Sequence, residues 1–189
     1  EAWVAWGDLF LEKYNIPDAR FAYQTALKVN PKYPPALLGM ARTHIESDNN
    51  HPKIQAHLDR ALKTNPSLPE AILLKARLQI DDEDYLGAVG TLKLALEINP
   101  NHLRCIALTA TAYYLADNPR KYEEARRRAF RLNPRFAEFY STVAALATRV
   151  HRYPEAISLN HKALQVQPSY WRAFVDLGIG YTRIGDDAR

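Results

Sequence analysis

The stretch "ALKVNP", residues 26–31, recurs along the chain with little change. It returns as "ALKTNP" at 61–66, "ALEINP" at 95–100, "AFRLNP" at 129–134 and "ALQVQP" at 163–168. The prolines that close these phrases follow one another at intervals of 35, 34, 34 and 34 residues. A fixed period of this length is typical of a repeat architecture, in which similar units stack on one another.

Each period has the pattern of two helices. In the first copy, Trp3, Trp6 and Phe10 have the spacing of one helix face, and both tryptophans are predicted to lie in the core. Pro17 stands where a second helix begins, and Pro31 stops that helix because proline cannot continue the hydrogen-bond ladder. The pattern therefore predicts helix A, a tight turn, helix B and a stop.

Three sets of positions repeat at the same place in each copy. The two sets of small residues predict close packing between helices, and the set of large apolar residues predicts a core. Small residues recur in helix A at Gly7, Ala41, Ala76, Ala110, Ala144 and Gly178. In helix B the alanine that opens the quoted phrase is invariant among the copies, at Ala26, Ala61, Ala95, Ala129 and Ala163. Large apolar residues begin helix A at Trp3, Leu37, Ile72, Ile106, Tyr140 and Phe174.

The first copy, Trp-x2-Trp-Gly-x2-Phe, Ala-x3-Tyr-x2-Ala and Pro, resembles the signature of the tetratricopeptide repeat family, with no subfamily identified. The resemblance implies an all-α, right-handed α-solenoid or superhelix of antiparallel helix pairs, with five repeats plus helix A of a sixth. We expect a single array with repeats at about 1–33, 34–68, 69–102, 103–136, 137–170 and, in part, 171–189, belonging to a longer protein. In this family helix A lines a concave groove and helix B the convex side.

Some residues depart from the family pattern. Lys75 and Thr109 stand where helix A is normally apolar, and Ile54 and Tyr122 replace a small residue early in helix B. Arg126 and Asn160 replace the central aromatic residue or leucine of helix B. We expect local irregularity at these places, above all in repeats two and four, without a change of fold.

The resemblance implies that this segment is a non-catalytic interaction scaffold whose concave helix-A groove binds a peptide or protein. The helix-A positions not assigned to the core predict the groove: Asp8, Leu38, Arg42, Leu73, Leu74, Arg77, Leu108, Tyr114, Arg149 and Arg183. An apolar surface with a few charges is typical of a binding site. The alternative is that neighbouring A helices bury part of this surface against each other.

Arg42 and Arg77 occupy equivalent places in successive A helices. Because packed helices lie about 8–10 Å apart, the two guanidinium groups could hold one carboxylate-bearing peptide segment between them. The alternative is that they pair with Glu46 and Asp81 nearby. Family members that bind chaperone tails use a Lys/Asn clamp, whereas the corresponding places here are Val4, Asp8, Gly39, Glu70 and Leu74. An Hsp70 or Hsp90 tail is therefore not expected as a partner.

The charge distribution favours an acidic partner for the second half of the chain. Residues 96–189 carry 14 Lys and Arg against 9 Asp and Glu, whereas residues 1–95 carry 11 against 12. The basic run at 120–131 places Glu123 and Glu124 four residues before Arg127 and Arg128, which favours a solvated helix. Nucleic-acid binding through this run is the less favoured alternative. The acidic run "DDED" at 81–84 predicts a cap for the following helix.

Chemical sites are not expected. Cys105 is the single cysteine, so neither a disulfide nor a cysteine metal site is predicted, and the six histidines have no recognised ligand spacing. No nucleophile and base are grouped, so we expect no cofactor, no metal and no catalysis in this segment. No apolar run has the length of a bilayer, so a membrane is not an expected partner, and a soluble, cytoplasmic protein is favoured over a periplasmic one.

The last predicted helix is apolar nearly all round, with Trp171, Phe174, Val175 and Ile179. We expect it to stack on further chain or, end to end, on another copy. An alternative function is the docking arm of a larger enzyme, because the stretch from Tyr153 resembles repeat arrays that precede metallopeptidase-like domains in some bacterial proteins.

Overall fold

The computed structural model describes residues 1–185, which form eleven α-helices and no strand. The helices are α1 Ala2–Glu12, α2 Ile16–Val29, α3 Pro34–Ser47, α4 His51–Thr64, α5 Pro69–Asp81, α6 Tyr85–Ile98, α7 Leu103–Leu115, α8 Pro119–Leu132, α9 Glu138–Arg149, α10 Tyr153–Val166 and α11 Trp171–Arg183. Five A–B pairs and one further A helix follow one another, which confirms the predicted fold class.

The chain forms two compact units, Glu1–Leu78 and Gln79–Arg189. The first contains α1 to α4 and most of α5. The second contains the end of α5 and the helices from α6 onwards.

Polar side chains fix the starts of four B helices. The side chains of Asn15, Asn50, Asp84 and Asn118 accept a hydrogen bond from the backbone N–H three residues later. Such a bond satisfies an amide that the first turn leaves without a helical partner. Asp84 is the last residue of the acidic run, so the predicted cap of α6 is confirmed.

The repeated prolines stop the B helices in one common way. The residues before them, Asn30, Asn65, Asn99, Asn133 and Gln167, have φ between −130° and −143° and ψ between 89° and 100°. Proline disfavours helical geometry in the residue before it, so each helix ends there. The four asparagines also accept a bond from the N–H two residues on, at 2.9–3.2 Å.

The turns from helix A to helix B share a left-handed residue. Tyr14, Asn49, Glu83, Asp117 and His151 have φ between 44° and 63°. None of these residues is glycine, although left-handed geometry costs an L residue about 1 kcal/mol. All five A–B pairs therefore use the same sharp reversal of the backbone.

Small residues allow the helices to approach closely, as predicted, except at Gly178, which is exposed and where a Cβ atom would meet nothing within 4 Å. The five invariant alanines of helix B are at most 7% exposed. In the first unit the Tyr23 ring lies against Gly7 and Gly39, and a Cβ atom at either glycine would come within 2.5 Å of Tyr23 Cε1. Ile54, which departs from the pattern, is fully buried in a cluster with Leu38 and Leu58.

The prediction that Trp3 and Trp6 are core residues is wrong, since they are 44% and 56% exposed. The residue equivalent to Trp3 in α3, Leu37, is fully buried. Helix α3 packs against α1, α2 and α4, whereas α1 has α2 and α3 as its principal neighbours. Trp3 does contact the Phe21 ring edge to face, with centroids 6.3 Å apart.

The basic helix α8 keeps most of its charges in local pairs. Glu123 accepts hydrogen bonds from both Arg126 and Arg127, at 2.6–3.1 Å. These arginines hold the pKa of Glu123 well below its usual range, at about 2. Arg120 pairs with Glu124 at 3.3 Å, in place of the expected bond from Arg128. The helix is thus the solvated, internally paired helix that the sequence favours.

Two histidines stack in the first unit. The rings of His44 on α3 and His57 on α4 lie 5.7 Å apart and nearly parallel, and His44 is buried. His57 Nδ1 is buried without a hydrogen-bond partner among the described residues. Burial, together with the positive charges of His44 and Arg60, lowers the pKa of His57.

We expect the first unit to lose stability as the pH falls below about 6.5, the ordinary pKa of an unfolded histidine. The folded state favours the neutral form of His57. The free energy of unfolding therefore has its full value above that pH, and it falls as the pH drops towards the lowered pKa of the folded state. Urea unfolding at several pH values will test this. The His57→Gln variant should show a flatter profile, and an unchanged profile would contradict the assignment.

Candidate functional site

A polar cluster in the first unit is built from two A helices, α1 and α3, and the B helix α2 between them. Tyr23 on α2 is fully buried, and its hydroxyl donates to Asp8 Oδ1 on α1 at 2.7 Å. Arg42 Nη1 on α3 lies 4.0 Å from the same carboxylate oxygen. Burial and the bond to Asp8 raise the pKa of Tyr23, so the phenol remains a donor. The carboxylate of Asp8 is thereby held between a rigid buried donor and an accessible arginine.

Arg42 remains accessible in this cluster. Its side chain is 42% exposed, and its ion pair is with Asp8 rather than with Glu46, the partner considered from the sequence. The equivalent Arg77 on α5 is also exposed. A guanidinium group has five N–H donors, so one distant carboxylate leaves Arg42 with donors for another acceptor.

The apolar residues predicted for the groove in the first unit are less accessible than the arginines. Leu38 is only 6% exposed and belongs to the buried cluster with Ile54 and Leu58. Leu74 is half-buried and packs against that cluster, and Leu73 is also half-buried. The charged positions therefore offer the more accessible contacts of this surface.

In the second unit, Leu108 is 6% exposed and Tyr114 is half-buried. The Tyr114 ring packs against Tyr122, with centroids 5.3 Å apart. Burial, and next the negative charge of Glu155, raises the pKa of Tyr114.

Ion pairs engage other side chains of the second unit. Arg149 on α9 pairs with Asp81 at the end of α5. Arg152 pairs with Asp117 at 2.9 Å and donates to the carbonyl of Leu115 at 3.3 Å. The sequence did not predict the Arg152 contacts, because the residues come from turns one repeat apart.

Further polar side chains lie on the A helices of the second unit. Ser141 on α9 donates to Asp176 on α11 at 3.2 Å, and burial raises the pKa of Asp176. Arg183, at the end of α11, is exposed.

Metal-binding and membrane-spanning features are not found in the described part of the chain. Within residues 1–185, no group of three His, Cys, Asp or Glu side chains could hold a metal ion. No described helix combines the length and apolar character that crossing a bilayer needs. Cys105 is buried, and burial raises the pKa of its thiol to about 11.

The comparisons with known proteins agree with the helix pattern. Residues 10–78 match the model of the tetratricopeptide repeat family. No curated protein sequence matches the chain at a significant level.

Several solved structures share the fold. TTC0263, a thermophilic tetratricopeptide repeat protein of Thermus thermophilus, is similar with a TM-score of 0.70 and 20% identity, over 96% of this chain and 98% of that one. PilF of Pseudomonas aeruginosa has a TM-score of 0.70 and 16% identity, over 99% and 86%. YrrB, described as a protein of this family with an unusual peptide-binding site, has a TM-score of 0.63 and 14% identity, over 92% and 89%. Residues 10–78 thus match the tetratricopeptide repeat family model, and the chain shares the fold of solved proteins described as members of that family.

Proposed function

We propose that the chain is a non-catalytic interaction scaffold that binds an acidic peptide or protein segment on the helix-A surface of its first unit. The observation that carries the proposal is Arg42, which is 42% exposed and contacts Asp8 only at 4.0 Å. A partner carboxylate can form shorter, charge-assisted bonds to the same guanidinium.

The surroundings of Arg42 support this role. Tyr23 holds the Asp8 carboxylate, which lies 4.0 Å from Arg42 and leaves the guanidinium accessible. Arg77, one repeat later, supplies a second cation on the same kind of helix. Proteins with this fold are in general scaffolds, and the similar YrrB has a peptide-binding site.

Asp8 competes with a partner for Arg42, so the two residues have opposite expected effects. Peptides selected from a random displayed library against the wild-type chain should be rich in Asp and Glu. For such a peptide, the Arg42→Ala/Arg77→Ala variant should bind about tenfold more weakly, and Asp8→Asn should bind about threefold more tightly. Isothermal titration calorimetry will measure both.

The exposed residue Lys63 on α4 offers a matched control, because Lys63→Ala removes a cation from a B helix. Its affinity for the peptide should equal that of the wild type. Selected peptides without acidic enrichment, or an affinity unchanged in the double arginine variant, would exclude an acidic partner at this surface.

A second proposal is end-to-end association of copies through α11. Trp171, Phe174 and Ile179 on this helix are 65%, 56% and 47% exposed, and such an apolar face is stabilised when another surface covers it. Light scattering at several concentrations should show a mass that rises with concentration. The Phe174→Lys variant should remain monomeric, and a wild type that is monomeric throughout would refute the association.

A further inference from the structure

A hollow lies in the second unit where α6, α7 and α8 meet. It consists of two adjoining cavities of about 280 and 270 Å³ that share four lining residues. The shared residues are Leu96, Thr109, Tyr113 and Arg128. The two cavities therefore form one continuous pocket, the α6–α8 pocket, which has no part in the helix-A surface proposed above.

At this pocket two residues differ from their equivalents one repeat earlier. In the first unit, Lys75 Nζ donates to Asp59 Oδ1 at 2.8 Å and bridges α4 and α5. The corresponding residues 34 positions later are Thr109 and Lys93. Thr109 is short, and its hydroxyl donates to the Cys105 carbonyl of its own helix at 2.8 Å. The bridging pair is lost, and a lysine is left at the rim of an open space.

Positive charge predominates around this space. Lys93 is exposed at the rim, and Lys121 lies over the Tyr113 ring at 5.1 Å from its centroid. Arg128 donates one N–H to the Pro100 carbonyl, which leaves the other donors of its guanidinium.

Two carboxylates, Glu97 and Glu124, also line the pocket. Glu124 already accepts a hydrogen bond from Arg120 at 3.3 Å. Glu97 is then the one lining carboxylate without a named partner, against the three cations Lys93, Lys121 and Arg128. The excess of positive charge favours an anion in the pocket.

The walls between these charges are apolar. Val89 and Leu96 from α6 and the Tyr113 ring from α7 line the interior. The larger of the two cavities, at about 280 Å³, lies just below the usual range for small-molecule pockets, which suits a group the size of one aromatic side chain.

We propose that the α6–α8 pocket binds a carboxylate carried on an apolar group. Lys93 and Arg128 bind the carboxylate by charge-assisted hydrogen bonds, and Val89, Leu96 and Tyr113 enclose the apolar part. Such a group occurs both in free aromatic or aliphatic acids and at the carboxyl terminus of a peptide that ends in an apolar residue.

Nuclear magnetic resonance titration of the ¹⁵N-labelled chain tests the site with three probes. The probes are 3-phenylpropionate for a free acid, N-acetyl-phenylalanine for a peptide terminus and the neutral 3-phenylpropanamide as control. We expect saturable shifts of the Lys93, Thr109 and Arg128 amides with at least one acid, and binding of the neutral amide weaker by about fivefold or more. Comparison of the two acids identifies the source of the carboxylate.

The most informative variant copies a residue pair from the first unit into the pocket. Lys93→Asp with Thr109→Lys transfers the Asp59–Lys75 pair into the second unit, and we expect it to fill the pocket and weaken binding by about tenfold or more. Circular dichroism should show an unchanged helix content, and the milder Lys93→Gln should weaken binding several-fold without changing any packing. Arg131→Ala, at the exposed end of α8, should bind as the wild type does.

Three results would overturn the proposal. They are shifts that do not saturate at the pocket residues with either acid, equal affinity for the neutral amide, and undiminished binding in the Lys93→Gln and double variants.

Discussion

Replacing Gly39 with alanine is expected to destabilise the first unit by about 1–3 kcal/mol, the usual cost of overpacking a closed core. A Cβ atom at this position would lie 2.3 Å from Tyr23 Cε1, well inside van der Waals contact. Tyr23 is fully buried and bound to Asp8 through its hydroxyl, so the ring cannot move aside without losing that bond. Urea unfolding followed by circular dichroism will measure the change.

Gly90 provides the matched control, since it also lies inside a helix but a Cβ atom there meets no other atom within 4 Å. Alanine is the better helix former, so Gly90→Ala should stabilise the chain by about 0.5–1 kcal/mol. Combining Gly39→Ala with Tyr23→Leu should recover part of the lost stability, because the ring that clashes is removed. Equal effects of alanine at Gly39 and Gly90 would contradict the packing argument.

Replacing Asn160 with leucine is expected to raise the free energy of unfolding by about 1–3 kcal/mol, the penalty of a buried polar group without a partner. Asn160 is 1% exposed, and both polar atoms of its amide are without a hydrogen-bond partner among the described residues. The equivalent residues in two earlier repeats are Leu58 and Leu92, both fully buried. The repeat therefore already accommodates leucine at this place, and urea unfolding will measure the gain.

An exposed asparagine separates this effect from a general gain in hydrophobicity. Asn101 lies in the loop before α7 and is exposed, so Asn101→Leu should change stability by no more than about 0.5 kcal/mol. Loss of stability in Asn160→Leu would mean that the amide has a role that its burial does not reveal.

The repeated features of the fold were predictable because each is seen several times in the sequence. The prolines, the invariant alanines and the small residues of helix A act through local geometry or contacts within a pair, and these are the same in every copy. The exposure of Trp3 was not predictable from the motif, since burial depends on how many neighbours a helix has. Phe174 on α11 shows the same effect, at 56% exposed, whereas the equivalent Ile106 is 1% exposed.

The candidate site was predictable in part. The alignment of repeats placed Arg42 and Arg77 at equivalent positions, but it did not reveal that Asp8 is the partner of Arg42 or that Leu38 lies in the core. Those facts depend on side-chain packing across repeats. The α6–α8 pocket had a sequence signal in Thr109, a polar residue at an apolar position. The role of Lys93 became visible only when Lys93 was compared with its equivalent Asp59, which pairs with Lys75 in the structure.

The left-handed turn residues have a consequence for how such a chain can diversify. One backbone shape presents phenol, amide, carboxylate and imidazole side chains, from Tyr14, Asn49, Glu83, Asp117 and His151. All five are exposed, and the stop and start of the adjoining helices are secured by other residues. Natural variation can therefore exchange aromatic, acidic and basic groups at these corners and alter the chemistry of the surface, while the backbone of the turn stays the same.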